Sequence, residues 1–250
     1  MRIGSLFSGV GGLELGLEAA GVGHTVWQVE IDPLSTRVLA RHWPKVERFD
    51  DVRTFDRTTP KSLADVICGG FPCQDVSTAG KRTGLSGARS GLWSEFRRIV
   101  SEFRPRFVVV ENVHDGRHLW LPTVRRDLHL LGYDSTAYTL SAAEVGAPHE
   151  RGRIFVVCYT DRPLEPMGAF DAQVAPVRRP AIRLPTWTER GGRRVADGVP
   201  DRVDLTERTR MMGNAVVPQC AEVIGRILVD LQNVLRPAPS TIASNPAHAG

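Results

Sequence analysis

The sequence has no apolar run long enough to cross a bilayer, few cysteines and very little lysine. A transmembrane helix needs roughly 20 mostly apolar residues, and no run in the 250 residues approaches that length, so we expect no membrane association. The four cysteines, Cys68, Cys73, Cys158 and Cys220, are too few for a disulfide framework and lack metal-ligand spacing. The Gly-rich N-terminus does not have the pattern of a signal peptide. We therefore expect a cytoplasmic protein without a bound metal.

Positive charge comes almost entirely from arginine. Only three of the 32 basic residues are lysines, and the net charge is +4 with a pI of about 9.1. Arginine binds phosphates and guanine edges, so this balance is compatible with a nucleic-acid partner. The same bias arises in proteins encoded by GC-rich genomes, and charge alone leaves both explanations open.

Short apolar segments alternate with amphipathic ones along most of the chain. Strands are predicted at residues 2–7, 24–30, 64–70, 106–113 and 153–160, and helices at 11–21, 33–43, 92–103, 118–132 and 213–235. The nearly continuous apolar runs are typical of central parallel strands covered on both faces. This alternation predicts an α/β fold with a Rossmann-like, doubly wound, mostly parallel sheet.

The composition and periodicity of the sequence change after residue 160. Residues 1–160 are expected to form the main domain, and residues 161–200 are rich in Pro, Gly and Arg and predict a small irregular region. Residues 201–235 contain a helix that returns to the main domain, and the polar tail 236–250 is expected to be disordered.

A glycine-rich turn, FSGVGG, follows the first predicted strand at residues 7–12. Glycines there let a ligand approach the backbone at the carboxyl end of the sheet. Glu30 ends the second strand, where an acid accepts hydrogen bonds from ribose hydroxyls, and Asp51 ends the next strand-like stretch, where it can accept from an adenine amino group. The match to GxGxxG is imperfect, so the segment predicts a nucleoside-type cofactor or a tight turn without a ligand.

Cys73 and Glu111 follow or end two other predicted strands, in GGFPCQ and VVVENV. Parallel strands place both residues at the same sheet edge, where a thiolate is a strong nucleophile and a buried carboxyl can hold a proton. Together they suit covalent attack on an electron-poor ring. Taken singly, Cys73 is equally compatible with an inert strand end, and Glu111 with a helix cap.

Five segments in order give the chain a family resemblance. FSGVGGLELG, GFPCQDVS, ENV, GAPHERGRIFVV and MGNAVVP resemble the motifs of the DNA (cytosine-5)-methyltransferases, of a bacterial or phage type with a short target-recognition region. The resemblance implies the class I methyltransferase fold, with S-adenosylmethionine as cofactor and S-adenosylhomocysteine as product. It also implies double-stranded DNA as partner, and it allows a cognate restriction endonuclease; we expect a monomer.

The resemblance assigns roles to particular residues. Cys73 would attack C6 of a cytosine that has left the duplex, Glu111 would hold or protonate N3, and Arg151 and Arg153 match the alternating-Arg motif, with Arg153 the better candidate to hold the flipped cytosine or its phosphate. The base that removes the C5 proton is not identified. The matching cofactor positions are Phe7, Gly9, Gly11, Leu13, Glu30, Ile31, Asp51, Val52, Pro72, Leu92, Asn214 and Val216.

Basic and polar residues near the nucleophile and in the irregular region are expected to contact DNA. They are Gln74, Ser77, Lys81, Arg82, Arg89, His149, Arg178, Arg179 and Arg183. His149 departs from the family, which usually has Gln there. The short region 161–200 can make few base contacts, so we expect a target of about two to four base pairs. An ordinary solvated loop is the alternative for each of these segments.

Other function classes remain as alternatives. An RNA cytosine-5 methyltransferase has the same fold, but the Cys-Phe-Thr stretch of the transfer-RNA branch does not occur in this sequence. A catalytically inactive DNA-binding module would not need both Cys73 and Glu111. A dinucleotide oxidoreductase has no role for PCQ or ENV.

Overall fold

The computed structural model describes residues 1–72, 91–160 and 215–235. The strands in these ranges are β1 (Arg2–Leu6), β2 (His24–Val29), β3 (Glu47–Phe49), β4 (Val66–Gly69), β5 (Phe107–Val113), β6 (Asp134–Leu140) and β7 (Arg153–Tyr159). The α-helices are α1 (Gly12–Ala19), α2 (Pro33–His42), α3 (Leu92–Phe103), α4 (Arg117–Leu130) and α5 (Pro218–Val234), with a 3-10 turn at Ala143–Val145.

The strands form one seven-stranded sheet in the order β3-β2-β1-β4-β5-β7-β6. Neighbours are parallel except where β7 pairs with β5 and β6. The chain leaves β1 in one direction toward β2 and β3, and the strands β4 and β5 extend in the other. Ligands of such sheets bind at the carboxyl ends of the strands where the order reverses. The predicted doubly wound, mostly parallel sheet is confirmed, and it places that crevice beside β1 and β4.

The prediction of a parallel strand at 153–160 was wrong in direction. β7 runs antiparallel to β5, because a second strand, β6, precedes it and the two are joined by 12 residues without an α-helix. A parallel pairing usually requires a crossover connection through an α-helix. The sequence DSTAYTL of β6 was missed because its polar residues give the partly exposed pattern of an edge strand rather than an apolar run.

The final helix begins five residues later than its predicted start. α5 starts at Pro218, and Val217 before it has an extended backbone with ψ of 115°. Proline disfavours the helical conformation in the residue that precedes it, so Val217 stays extended and the helix begins after it. Residues 213–214, the regions 161–200 and 201–212, and the tail 236–250 lie outside the described residues.

Two apolar clusters hold the sheet. One cluster is rich in aromatic side chains and joins α3 and α4 to the sheet through Trp27, Phe55, Phe96 and Trp120, among others. The other is mostly aliphatic and includes Leu13 and Leu17 of α1 with Ile224 of α5. No helix in the described ranges is long and apolar enough to cross a membrane.

Helices α1 and α5 approach each other through small residues. A Cβ atom on Gly16 would lie 2.3 Å from the Pro218 carbonyl oxygen and 2.4 Å from the Ala221 Cβ, and a Cβ on Gly225 would lie 2.5 Å from the Ala20 Cβ. These distances are shorter than any normal contact, so glycine is required at the crossing. The approach carries the segment 215–217 over the start of α1, where a Cβ on Gly12 would lie 2.2 Å from the Val216 carbonyl oxygen.

We predict that Gly16→Val lowers the free energy of unfolding by about 1–3 kcal/mol, the usual cost of adding volume to a packed site. Ala19→Val is the matched control, because Ala19 is an exposed residue of the same helix and the change there costs no more than about 0.7 kcal/mol of helix propensity. Denaturant unfolding of both variants measures the difference. Equal loss in the two variants would contradict the proposed closeness of the helices.

Candidate functional site

The glycine-rich turn after β1 has an unusual backbone. Phe7, Gly9 and Gly11 have φ angles of 54°, 56° and 86°, and the Gly11 N–H donates to the Ser8 carbonyl oxygen at 2.9 Å. An ideal Cβ on Gly9 would meet no atom within 4 Å, so the space beside this turn is open. The turn therefore leaves room for a ligand beside its backbone, at the end of β1.

Glu30 joins this turn to the end of β2. Its Oε2 accepts a hydrogen bond from the Gly9 N–H at 2.6 Å, and its Oε1 accepts from the Asp32 N–H at 2.8 Å. A carboxylate oxygen can accept more than one hydrogen bond, and ribose hydroxyls are donors of the kind it accepts. Glu30 thus orders the turn and presents a carboxylate to the same sheet edge.

The loop after β3 holds the predicted adenine contacts. Asp51 forms an ion pair with Arg53 at 2.6 Å, and the hydrogen bonds from Arg53 hold the pKa of the Asp51 carboxyl below its usual range. Val52 is buried, and the Arg98 guanidinium of α3 donates to the Val52 carbonyl oxygen at 3.0 Å. Strand β3 ends at Phe49, so Asp51 lies two residues beyond the strand rather than at its end.

A cleft lies between the turn, β5 and the segment 215–217. Predicted cofactor residues Phe7, Gly9, Leu13 and Val216 line it together with Glu111. Ile31 is 65% exposed beside the end of β2, Pro72 follows β4, and Leu92 is the first residue of α3. The structure therefore brings residues from both ends of the chain to one sheet edge.

Glu111 is a buried carboxyl paired with arginine. It is 7% exposed on β5, and its Oε1 lies 2.8 Å from the Nε of Arg153 on the adjacent β7. Burial raises the pKa of Glu111, and the positive charges of Arg153 and Arg151 oppose that rise without cancelling it. An ideal Cβ on Gly70, the residue after β4, would lie 2.6 Å from the Glu111 Oε2, so a side chain there would require the Glu111 carboxyl to shift.

Asn112, next to Glu111, connects β5 to the segment that leads to Cys73. Its amide donates to the Phe71 carbonyl oxygen at 3.1 Å, and its Oδ1 accepts from the Val113 N–H at 2.8 Å. Both polar ends of this buried side chain are thus satisfied, and the backbone two residues before Cys73 is tied to the strand of Glu111. The sequence prediction did not include Asn112, although its place in ENV was a visible signal.

Arg151 and Arg153 have different partners. Arg153 lies against Glu111, whereas the Arg151 guanidinium donates to the Ala215 carbonyl oxygen of the returning segment. Arg151 has a φ angle of 121°, which is uncommon for a residue with a side chain. His149 is exposed, and its Nδ1 lies 2.8 Å from the Glu150 carbonyl oxygen. Arg151 thus supports a wall of the cleft, and Arg153 positions Glu111.

Several predicted residues lie outside the described ranges. They are Cys73, Gln74, Ser77, Lys81, Arg82, Arg89, Arg178, Arg179, Arg183 and Asn214. Their roles stay predictions. The three described cysteines, Cys68, Cys158 and Cys220, are buried, and burial raises the pKa of each thiol. None of these three suits a thiolate nucleophile.

Comparison with known proteins decides the family. A family model described as C-5 cytosine-specific DNA methylase matches residues 1–182. The chain belongs to this family. The predicted resemblance is thereby confirmed, and the sheet described above is the fold of a DNA cytosine methylase domain.

Two curated relatives of this methylase domain come from bacteria. The chain is 33% identical over 164 residues to the type II methyltransferase M.HhaI of Haemophilus parahaemolyticus, covering 64% of this chain and 49% of that protein. It is 35% identical over 168 residues to the type II methyltransferase M2.BsuMI of Bacillus subtilis, covering 63% and 41%. The chain thus spans about half the length of the curated relatives it matches.

Solved structures give the same fold. A prophage-encoded E. coli protein, solved as a DNA modification methyltransferase, superposes with a TM-score of 0.53 and 31% identity over 64% of this chain and 47% of that one. The S. pombe Dnmt2 methyltransferase superposes with a TM-score of 0.52 over 66% of this chain and 50% of that one, but its 19% identity supports the fold alone.

The methylase domain also contains a buried carboxyl that the sequence prediction missed. Glu14 of α1 is fully buried and lines the cleft, and its Oε1 accepts a hydrogen bond from the buried Gln28 amide at 3.3 Å. Ser5 and Ser8 lie beside it, and their hydroxyls are 2.9 Å apart. The helical pattern of GLELG gives Glu14 no distinguishing signal, because a Glu in an amphipathic helix is ordinarily a solvent-facing residue.

Burial raises the pKa of Glu14 from 4.5 to about 7, and hydrogen bonds from Ser5, Ser8 and Gln28 oppose the rise. The folded protein therefore binds this proton more tightly than the unfolded chain does. The stability that depends on it is fully present below about pH 4.5 and is lost as the pH rises through about 7.

We predict that Glu14→Gln gains stability relative to the wild type between about pH 5 and pH 8, by an amount on the order of 3 kcal/mol. Glutamine has no proton to lose in this range, whereas the wild type must bury a carboxylate. The difference in unfolding free energy between the two proteins isolates Glu14 from other titrating groups such as Glu111. A difference that does not change with pH would contradict the burial of an ionisable Glu14.

Proposed function

We propose that the chain is a DNA (cytosine-5)-methyltransferase that transfers a methyl group from S-adenosylmethionine to C5 of a cytosine in duplex DNA. The observation that carries the proposal is the buried Glu111–Arg153 pair at the cleft edge. The neighbouring Asn112 connects this pair to the segment before Cys73 by a hydrogen bond to the Phe71 carbonyl oxygen. Membership of the cytosine-specific DNA methylase family supports the same reaction.

The cleft suits a nucleoside cofactor. Glu30 offers a carboxylate to ribose hydroxyls, Asp51 offers one to an adenine amino group, and the turn around Gly9 leaves open space beside its backbone. Phe7, Leu13 and Val216 supply apolar walls. When bound there, S-adenosylmethionine supplies an electrophilic methyl group.

Glu111 acts on the cytosine ring. A carboxyl whose pKa burial raises can hold a proton near neutral pH and donate it to N3, which makes C6 more electrophilic. The Nε of Arg153 keeps Glu111 oriented and stabilises it after the proton has left. The cytosine must leave the duplex to reach this edge, because its ring faces are otherwise stacked.

Cys73 is the nucleophile. Its sulfur forms a bond to C6, C5 receives the methyl group, a base removes the C5 proton, and the S–C6 bond then breaks to restore the aromatic ring. The other three cysteines are buried thiols with raised pKa values, so they do not compete for this role. The basic segment between Val76 and Ser94 and the region 161–200 are proposed to contact the DNA. The region 161–200 is proposed to define a short target, with a cognate restriction endonuclease as a further partner.

We predict that Cys73→Ala abolishes methyl transfer while duplex DNA is still bound, because the covalent step loses its sulfur. Cys158→Ala is the control, since this buried thiol of β7 has no proposed role in the reaction. Transfer from labelled S-adenosylmethionine to duplex DNA and to transfer RNA measures activity. DNA containing 5-fluorocytosine should trap a covalent adduct with the wild type and with Cys158→Ala, but not with Cys73→Ala. Turnover by Cys73→Ala would refute the assignment of Cys73 as the nucleophile. Labelling of the transfer RNA but not of the DNA would show that RNA, rather than DNA, is the substrate.

We predict that Glu30→Ala weakens S-adenosylmethionine binding by about 1–3 kcal/mol, the range for a lost hydrogen bond to a charged group. Glu30→Gln should lose less, because the amide oxygen can still accept one of the two backbone hydrogen bonds. Titration calorimetry measures the affinities, and thermal unfolding checks that the turn remains folded. Unchanged affinity in Glu30→Ala would exclude a ribose contact.

A further inference from the structure

Glu14 has no cationic partner among the residues that the structure describes. Its Oε2 has no hydrogen-bond partner there, and its Oε1 accepts a hydrogen bond from the neutral Gln28 amide. The remaining influences on the carboxyl are hydroxyl and backbone groups, with no Lys, Arg or His contribution. The contrast with Glu111, which is paired with Arg153, is clear.

The position of Glu14 connects it to the cofactor cleft. Glu14 lines this cleft together with Ser5, Ser8 and Gly9, directly below the glycine-rich turn. A buried carboxylate without a counter-charge is costly, so in the empty protein the protonated form is favoured. A cation placed in the cleft would favour the carboxylate instead, because opposite charges in a desolvated site attract strongly.

We propose that Glu14 recognises the positively charged methionine end of S-adenosylmethionine, and that it releases its proton to the solvent as the cofactor binds. The inference rests on the proposed function, since it takes S-adenosylmethionine as the ligand of this cleft. The proton leaves the Glu14 carboxyl for the buffer, and no covalent bond to the cofactor is made or broken.

The other groups around Glu14 are not expected to release a proton when a cation enters the cleft. Ser5 of β1 and Gln28 of β2 carry no charge, and burial keeps the Cys68 thiol of β4 and the Cys220 thiol of α5 protonated. Glu18, one turn further along α1, accepts hydrogen bonds from Thr25 and Trp43. Glu111 of β5 lines the cleft but is already balanced by Arg153.

The test is proton release measured by titration calorimetry near about pH 7, in two buffers of different ionisation enthalpy. The ligands are S-adenosylmethionine, S-adenosylhomocysteine, which lacks the sulfonium, and methylthioadenosine, which lacks both the sulfonium and the ammonium. We expect the wild type to release a fraction of a proton with S-adenosylmethionine and none with methylthioadenosine. Proton release with S-adenosylhomocysteine as well would assign the contact with Glu14 to the ammonium group. Release with S-adenosylmethionine but not with S-adenosylhomocysteine would assign the contact to the sulfonium.

Glu14→Gln should abolish this proton release and weaken S-adenosylmethionine binding roughly tenfold, the equivalent of one pKa unit, while methylthioadenosine affinity stays the same. Glu47→Gln is the matched control, because Glu47 is on β3 and pairs with the exposed Lys61. The inference would be overturned if Glu14→Gln released as many protons as the wild type on binding S-adenosylmethionine. It would also be overturned if the wild type bound S-adenosylmethionine without releasing a proton. Either result would leave the proposed function intact. Failure of all three ligands to bind the wild type would overturn both.

Discussion

The close approach of α1 and α5 is the constraint on which the cleft depends. A side chain at Gly16 would collide with the backbone at Pro218, and one at Gly12 would lie 2.2 Å from the Val216 carbonyl oxygen. Because both positions are glycine, the segment 215–217 crosses the start of α1, and its Ala215 and Val216 line the cleft. The chain thereby closes around a site that begins within its first ten residues and includes residues more than 200 positions later.

Two buried carboxyls line this cleft, and burial raises the pKa of both. They differ in how the surrounding residues compensate for the lost water. Glu111 has the guanidinium of Arg153 at 2.8 Å, so it can lose and regain a proton without leaving an isolated charge. Glu14 has only neutral partners among the described residues, so its charge depends on what enters the cleft. Glu111 is therefore suited to proton exchange with a nucleobase, whereas Glu14 is suited to recognition of a cation.

The predicted and observed strands agree best where the strand is buried on both faces of the sheet. The apolar runs of β1, β4 and β5 were predicted within one or two residues, because a central strand has little freedom to be polar. Agreement ends at the sheet edge, where β6 is partly exposed and contains Ser, Thr and Tyr. The missing β6 also explains the wrong direction of β7, since the direction of a strand depends on its neighbours and connection rather than on its own residues.

The sequence by itself determined the alternation of strands and helices, the glycine-rich turn, and the positions of Glu30 and Glu111 within two residues of strand ends. These are local features, because backbone conformation and strand burial act on neighbouring residues. Only the tertiary structure decided that Arg153 pairs with Glu111, that Arg151 supports Ala215, and that Glu14 is buried beneath the turn. Each of these depends on atoms from separate elements meeting at a few ångströms, and neither the spacing of residues along the chain nor their chemical type specifies such distances.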